Sequence, residues 1–542
     1  MKNKFIILLA LAGMATSCSD AYDITQKGEQ NNPTEVYQNA NDISLGINAI
    51  YASIPARTEI ELGSIFTDEA AIGLENGGQG LLDGGYTFYM EADNDYAAGL
   101  WSSYYAMIHR INRLEATTKE LMVNATNAEK GNHNNNLAEL YALRAFAHYK
   151  LFAYFTPDYA AANGKSIINL DHVPPTDYTY SLPRNTVKEV SDFIIADLDK
   201  SVTLRTKAWT GANYVNSGMI DAIRVKLYSM LGDTEKVLQY GLPLLQSFSL
   251  SNGSEYTSIF ARVDASYADL ADNKETIFRL KSTINSGPRP VPIWYSVRAS
   301  SEGSPFFEMG RSLYNELDKL DNTKVGQAFS AVRNDVRYAV NVLPSGTFNG
   351  NEGSKVAVNY ETLSQSDYTV NDVLLVGKYR GMVGANTANS VPMFRVADIL
   401  LAVAEARAAQ GATTAASNDP DDLVGDYSNV YSILYTLRFN RLADRTNLAT
   451  ISIPQMTSAQ AAYAAILNER RVEFAFEGGR YLDMKRLGVK AGSPGFVRYS
   501  KDCADNGACQ LAASSHKLTL PIPVGELNGN TKITSNDQNP GY

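Results

Sequence analysis

The stretch LNERRVEFAFEGGRYLDMKRLG, residues 467–488, carries carboxylates at a spacing that could do acid–base chemistry. Glu469, Glu473 and Glu477 fall at i, i+4 and i+8, so a helix would align them as one acidic stripe. Glycoside hydrolysis needs two carboxyls about 5 to 9 Å apart across a sugar-sized cleft. Glu473 and Glu477, one turn apart, would meet that spacing. Their surroundings argue otherwise. Phe474, Ala475 and Phe476 lie between them, and Arg470, Arg471 and Arg480 beside them would hold both carboxylates ionised. A general acid needs a raised pKa, hence the opposite environment. The stripe reads as a buried or half-buried structural ion network of Glu473, Glu477, Arg470 and Arg480. Arg144, which falls on an apolar helix face elsewhere, is expected to be its further partner because a buried Arg must be paired.

Other chemistries lack their residues. No G-x-S-x-G elbow and no H-E-x-x-H occurs. The glycines of NGGQGLLDGGY are not followed by G-K-[ST] and read as a loop, not a phosphate cradle. Five histidines at no ligand-like spacing imply no metal, and no cofactor is called for. A net charge of −10 without a long basic run argues against a nucleic-acid partner. Tyrosine is unusually frequent, 32 residues against 19 phenylalanines, and pairs an apolar face with a polar tip suited to recognition surfaces.

The elements that must position these residues are mainly helical. NNLAELYALRAFAHYKLFAYF repeats apolar residues at helical spacing, with Arg144 and His148 on the same face. WSSYYAMIHRINRLE is a second such helix, with Trp101 on its core side. NTVKEVSDFIIADLDKSV opens with the capping box Thr186–Glu189. IDAIRVKLYSMLGDTEKVLQYGLPLL reads as helix, Gly232-Asp233 turn, helix, similar to a tetratricopeptide unit. Helical periodicity returns at FRVADILLAVAEARAAQG and continues to residue 479. KETIFRL alternates as a short strand. The tail from His516, with its prolines, asparagines and glycines, reads as an extended wrap. The fold class is therefore all-α in the main: tetratricopeptide-like helix pairs in a superhelix, a loop-rich irregular face and a few short strands. The organisation is a signal peptide over 1–17, an anchor and tether over 18–40, a helical region over 41–248, a variable loop-rich region over 249–392, and a helical region with extended tail over 393–542.

Lys2 and Lys4 precede the apolar run Phe5 to Ala15, too short to span a bilayer but right for a signal peptide. Ala15-Thr16-Ser17-Cys18 then resembles a lipobox, with Cys18 as the lipidated residue. The mature chain would be anchored by acyl chains. Cys503 and Cys509 flank Asp-Asn-Gly, and a local disulfide is expected in an oxidising compartment; a metal site would need more ligands.

The lipobox at Cys18, ELYALRAFAHYKLFAYF, FRVADILLAVAEARA, LNERRVEFAFEGGRYLDMKRLG and LPIPVGELNGNTKITSNDQNPGY together resemble a SusD/RagB-type outer-membrane lipoprotein. They follow that family's order across nearly the whole chain. Asp398 departs from it, standing where the family usually has Glu. The resemblance implies a SusC-like TonB-dependent barrel as partner, a position on the outer membrane facing the exterior, and capture of oligosaccharides or, in some members, peptides. It does not imply catalysis, so a surface glycoside hydrolase is the disfavoured alternative. A sugar site needs exposed aromatic faces rimmed by polar groups. DGGYTFYMEADNDY supplies Tyr86, Tyr89 and Tyr96 with Asp93, Asn94 and Asp95; SGPRPVPIWYSVR supplies Trp294 and Tyr295 with Arg289 and Arg298. Both stretches occupy places where the family binds ligand. Asp68 matches a commonly acidic family position and is a further candidate.

Overall fold

The computed structural model describes residues 36–73, 83–175, 180–209, 211–260, 273–282, 307–327, 331–344, 374–379 and 390–542. In chain order its helices are α1 Ala40–Ala52, α2 Ala56–Ile65, α3 Asp95–Val123, α4 Asn127–Phe155, α5 Val187–Leu204, α6 Ser217–Leu231, α7 Thr234–Ser247 and α8 Gly253–Phe260. They continue as α9 Arg311–Asp318, α10 Val336–Asn341, α11 Val396–Ala409, α12 Val430–Asn440, α13 Ala459–Glu473, α14 Arg480–Leu487 and α15 Val524–Gly529, with one extra turn at Pro420–Leu423. The fold is mainly helical, as expected from the periodicity.

Local chemistry sets many of the boundaries. Thr126 with Glu129 and Thr186 with Glu189 form reciprocal capping boxes that open α4 and α5. Gly232, at φ 76°, ends α6 in the left-handed region, and the Asp233 carboxylate accepts the Lys236 N–H to start α7. The helices then pack in neighbouring pairs: α3 on α4, α4 on α5, α6 on α7, α7 on α11, and α11 on α13. α4 is buried on almost every side. One continuous apolar core joins the helices before residue 249 to those after residue 392.

The strands are short and come in antiparallel pairs: β1 Ala70–Ile72 with β3 Phe307–Met309, β2 Thr276–Leu280 with β6 Val391–Arg395, β4 Val342–Pro344 with β5 Leu374–Val376, and β7 Phe496–Val497 with β8 Gln510–Leu511. The β2–β6 pair lies under α4, where Phe278 and Phe394 meet the Phe146 ring edge-on at 6.3 and 6.1 Å. Among the described residues no helix is long and apolar enough to cross a membrane.

Two expectations are corrected. The glutamate stripe is not one helix: α13 stops at Glu473, and Glu477 lies in the turn before α14. Phe476 at φ 61° and Gly478 at φ 85° break the helix. A Cβ on Gly63 of α2 would stand 2.4 Å from Gly478 Cα, so the turn is seated directly on another backbone. The tail is not wholly extended either, because α15 interrupts it.

Candidate functional site

The carboxylates of residues 467–488 are enclosed by cations from distant segments. Glu473 Oε1 accepts from Arg395 Nη1 and Arg441 Nη2, each at 2.8 Å. Its Oε2 accepts from Arg441 Nε at 3.1 Å and Arg337 Nη1 at 3.3 Å. Burial pushes this carboxyl up, but Arg441 and Arg395 outweigh burial and hold it well below the usual range. Glu477 accepts from Lys378 at 2.6 Å and from Arg395 at 2.8 and 3.0 Å. Glu469 ties Arg337 and Arg438 together. Each of these carboxylates faces a cation, an arrangement that ties separate chain segments together.

The other expected members of this network lie elsewhere. Arg470 pairs with Asp398 at 2.6 Å and with Asp483; Lys226 meets the same Asp398 oxygen at 2.7 Å. Arg480 grips Asp68 through two bonds of 2.9 and 3.0 Å. Arg144 does not reach Glu473 or Glu477: it forks onto Asp197 at 2.7 and 3.0 Å and also pairs with Glu115. The spacing of one helix could not reveal which distant carboxylates would close on it. His148 is a satisfied core group: Nδ1 meets the Arg144 carbonyl and Nε2 accepts from the Leu170 N–H, while burial lowers its pKa to about 3.

The loop over residues 83–94, ahead of α3, is built differently. Tyr86 and Phe88 turn inward, and the Arg498 guanidinium stacks 3.9 Å from one ring centroid and 4.1 Å from the other. Arg498 also donates to the carbonyls of Thr67, Ile65 and Ala508, each at 2.9 Å, and to that of Tyr86. One buried cation thus pins three separate chain segments. Burial lowers its pKa to about 10, so it stays charged at neutral pH. Phe88 at φ 58° is a non-glycine residue in the left-handed region, held there by these contacts and by Lys517, which donates to its carbonyl at 2.9 Å. The next residue, Tyr89, is thereby turned outward with 45% of its surface exposed. Its hydroxyl donates to Asp93 Oδ1 at 2.8 Å, and that bond raises the phenol's pKa. The pair offers an aromatic face with a carboxylate at its edge.

Several expected ligand residues are buried. Tyr86 has 0% exposure and spends its hydroxyl on the Asp502 carbonyl at 2.5 Å. Asn94 caps α3, accepting from Tyr96 N and Ala97 N, and donates to the Tyr89 carbonyl. Asp68 is enclosed with Arg480 and Arg471. Tyr96 is half-buried against the core. Tyr89 remains available, and Asp93 joins it. Trp294, Tyr295, Arg289 and Cys18 lie outside the described residues. The strand that follows the first three, β3, starts at Phe307, whose ring lies 5.9 Å from that of Tyr86. Cys503 and Cys509 are disulfide-bonded, 5.2 Å apart at Cα, and close a loop that begins directly after Asp502. Arg498 was the residue missed by sequence reasoning. Its only signal is the two-residue alternation of β7, which points it inward with Phe496. Among the described residues no group of three metal-ligating side chains occurs.

Comparison with known proteins agrees across the chain. Residues 274–542 match the SusD family model, and residues 22–215 match a family model described as starch-binding associating with outer membrane. A SusD-like protein of Formosa agariphila is 26% identical, with 99% of this chain and 98% of that protein aligned. A SusD superfamily protein of Bacteroides thetaiotaomicron superposes with a TM-score of 0.66 at 17% identity, over 93% of this chain and 100% of that one. A laminarin-binding SusD-like protein superposes at 0.58 with 19% identity, over 93% and 100% of the two chains. The chain belongs to the SusD/RagB family.

Proposed function

We propose that this SusD-family chain is a lipid-anchored outer-membrane protein, facing the cell exterior, that captures oligosaccharides and hands them to a SusC-like TonB-dependent transporter. Outer-membrane association accords with the description of the family model matched by its N-terminal part. The observation that carries the reading is the Tyr89–Asp93 pair, held outward by a rigid, Arg498-pinned loop. An exposed aromatic face stacks on sugar C–H groups, and a carboxylate at its edge accepts sugar hydroxyls. A structural neighbour that binds laminarin, a polysaccharide, supports the ligand class. Trp294, Tyr295 and Arg289 are retained as further ligand contacts, and Cys18 as the lipidated residue. The chain acts as a binder, since Glu473 is held ionised among arginines and cannot serve as a general acid.

Calorimetry with a panel of plant, microbial and host glycans and peptide digests, assayed in parallel for released products, tests this. The expected result is binding of one glycan class without turnover, weakened roughly tenfold, about 1.4 kcal/mol, by Tyr89→Ala. Binding confined to peptides, or time-dependent product release, would overturn it.

A further inference from the structure

A concavity opens beside the tail helix α15. The tail helix α15 starts with the Val524 N–H donating to the Ala92 carbonyl at 2.8 Å, so it is fastened to the loop that presents Tyr89. Between α15, α3 and residues 168–174 and 180–182 lies a cleft of about 310 Å³. That is the low end of the volume of small-molecule sites, roughly 300–1,000 Å³. Tyr105, Ile168, Leu170 and Leu182 give it apolar walls, while Glu526 and Asn530 supply polar groups. Gly525 and Gly529, one turn apart on α15, also line it, and a Cβ on either would meet no atom within 4 Å. The missing side chains are what leave the cleft open.

Glu526 is the informative residue. Its Oε2 accepts from Trp101 Nε1 at 3.1 Å and its Oε1 from Asn530 Nδ2 at 2.6 Å. A carboxylate has about four acceptor positions, so two remain. No ion pair among the described residues engages it. Neighbours orient this acceptor beside an apolar wall. That combination suits a ligand with hydroxyl donors on its rim and C–H groups on its face.

We infer that this cleft is a second carbohydrate subsite, taking one pyranose ring of a chain whose other rings lie on the Tyr89 surface. The inference rests on the carbohydrate reading above. Glu526 accepts hydroxyl hydrogen bonds from the ring, and Tyr105 with Leu182 meets its apolar face.

The test uses the indole N–H signals of the ¹⁵N-labelled full chain, which has three tryptophans. Trp101 reports on the cleft through its bond to Glu526, and Trp294 reports on the expected primary site. Laminarihexaose, maltohexaose and glucose are titrated. The expected result is a saturable shift of the Trp101 signal that disappears in Gly529→Leu, and in Gly525→Leu as an independent block, while a Trp294 shift persists. A shift of Trp294 with Trp101 unmoved overturns the subsite and leaves the carbohydrate reading standing. A Trp101 shift that survives both blocking variants also overturns it. No shift of either signal with any of the three probes overturns the subsite for these sugars, and the calorimetric panel then decides the broader reading separately.

Discussion

Glu473 shows how a suggestive residue is decided by what reaches it. Its partners Arg337, Arg395 and Arg441 come from three distant segments, so its chemistry was not legible from the stretch that contains it. Only the general rule was: carboxylates beside arginines and phenylalanines are held ionised. Replacing Glu473 by Gln removes a buried charge shared by three guanidinium groups, which keep Asp335, Glu469, Glu275 and Glu477 as partners, and is expected to cost about 3 kcal/mol in urea unfolding, with ligand affinity unchanged in the folded protein. Glu69 behaves in the opposite way. Burial raises its carboxyl to about 8 despite the Phe476 N–H that it accepts. A pKa raised in the folded state gives stability that is full below the unfolded value and is lost as pH rises through the folded one. Glu69→Gln keeps the acceptor for Phe476 and removes the titration. Its stability relative to wild type is expected to rise between about pH 4.5 and 8 and then level off, as followed by thermal unfolding across that range. Asp68 and Glu405 act at the acid end. Burial pushes each up, but Arg471 and Arg480 for the first, and Arg486 for the second, bring both down to about 2. Their contribution is present above the usual carboxylate range and is lost as pH falls towards 2.

At the scale of elements, sequence legibility follows the range of the interaction. The boxes at Thr126 and Thr186 and the Gly232-Asp233 turn are made within a few residues, so they were readable in advance or follow the same pattern. The end of α13 is not local. It depends on Gly63 of α2 admitting the backbone of Gly478, more than four hundred positions away in the chain. Gly63→Ala is therefore expected to cost about 1–3 kcal/mol by overpacking against a backbone that cannot yield, read as a lowered Tm. Arg498 was equally hidden, because its acceptors are carbonyls, which have no letter in a sequence. The loop closed by Cys503 and Cys509 supports the same site by holding Asp502 beneath Tyr86. With a separation of six residues, loss of this bridge in Cys503→Ser/Cys509→Ser is expected to cost about 2 kcal/mol. The same variant should weaken ligand binding, by loosening the support under Tyr89.

For the whole molecule, one core spans both helical regions, so the described body should unfold in a single transition seen alike by circular dichroism and by the Trp101 indole signal. The tail closes that core. Asn539, 1% exposed, donates to the carbonyls of Phe155 at the end of α4 and of Leu520, and accepts from Arg184. Asn539→Ala leaves these groups unsatisfied at about 1–3 kcal/mol each, a loss expected to show as a lower midpoint in the same transition. The bond from Asn539 to α4 spans 384 residues. On a ribosome adding roughly 5–20 residues per second, α4 is finished about 20 to 80 s before its closing partner is made. During that interval the growing chain lacks its final clasp, so closure of the fold waits on synthesis of the tail.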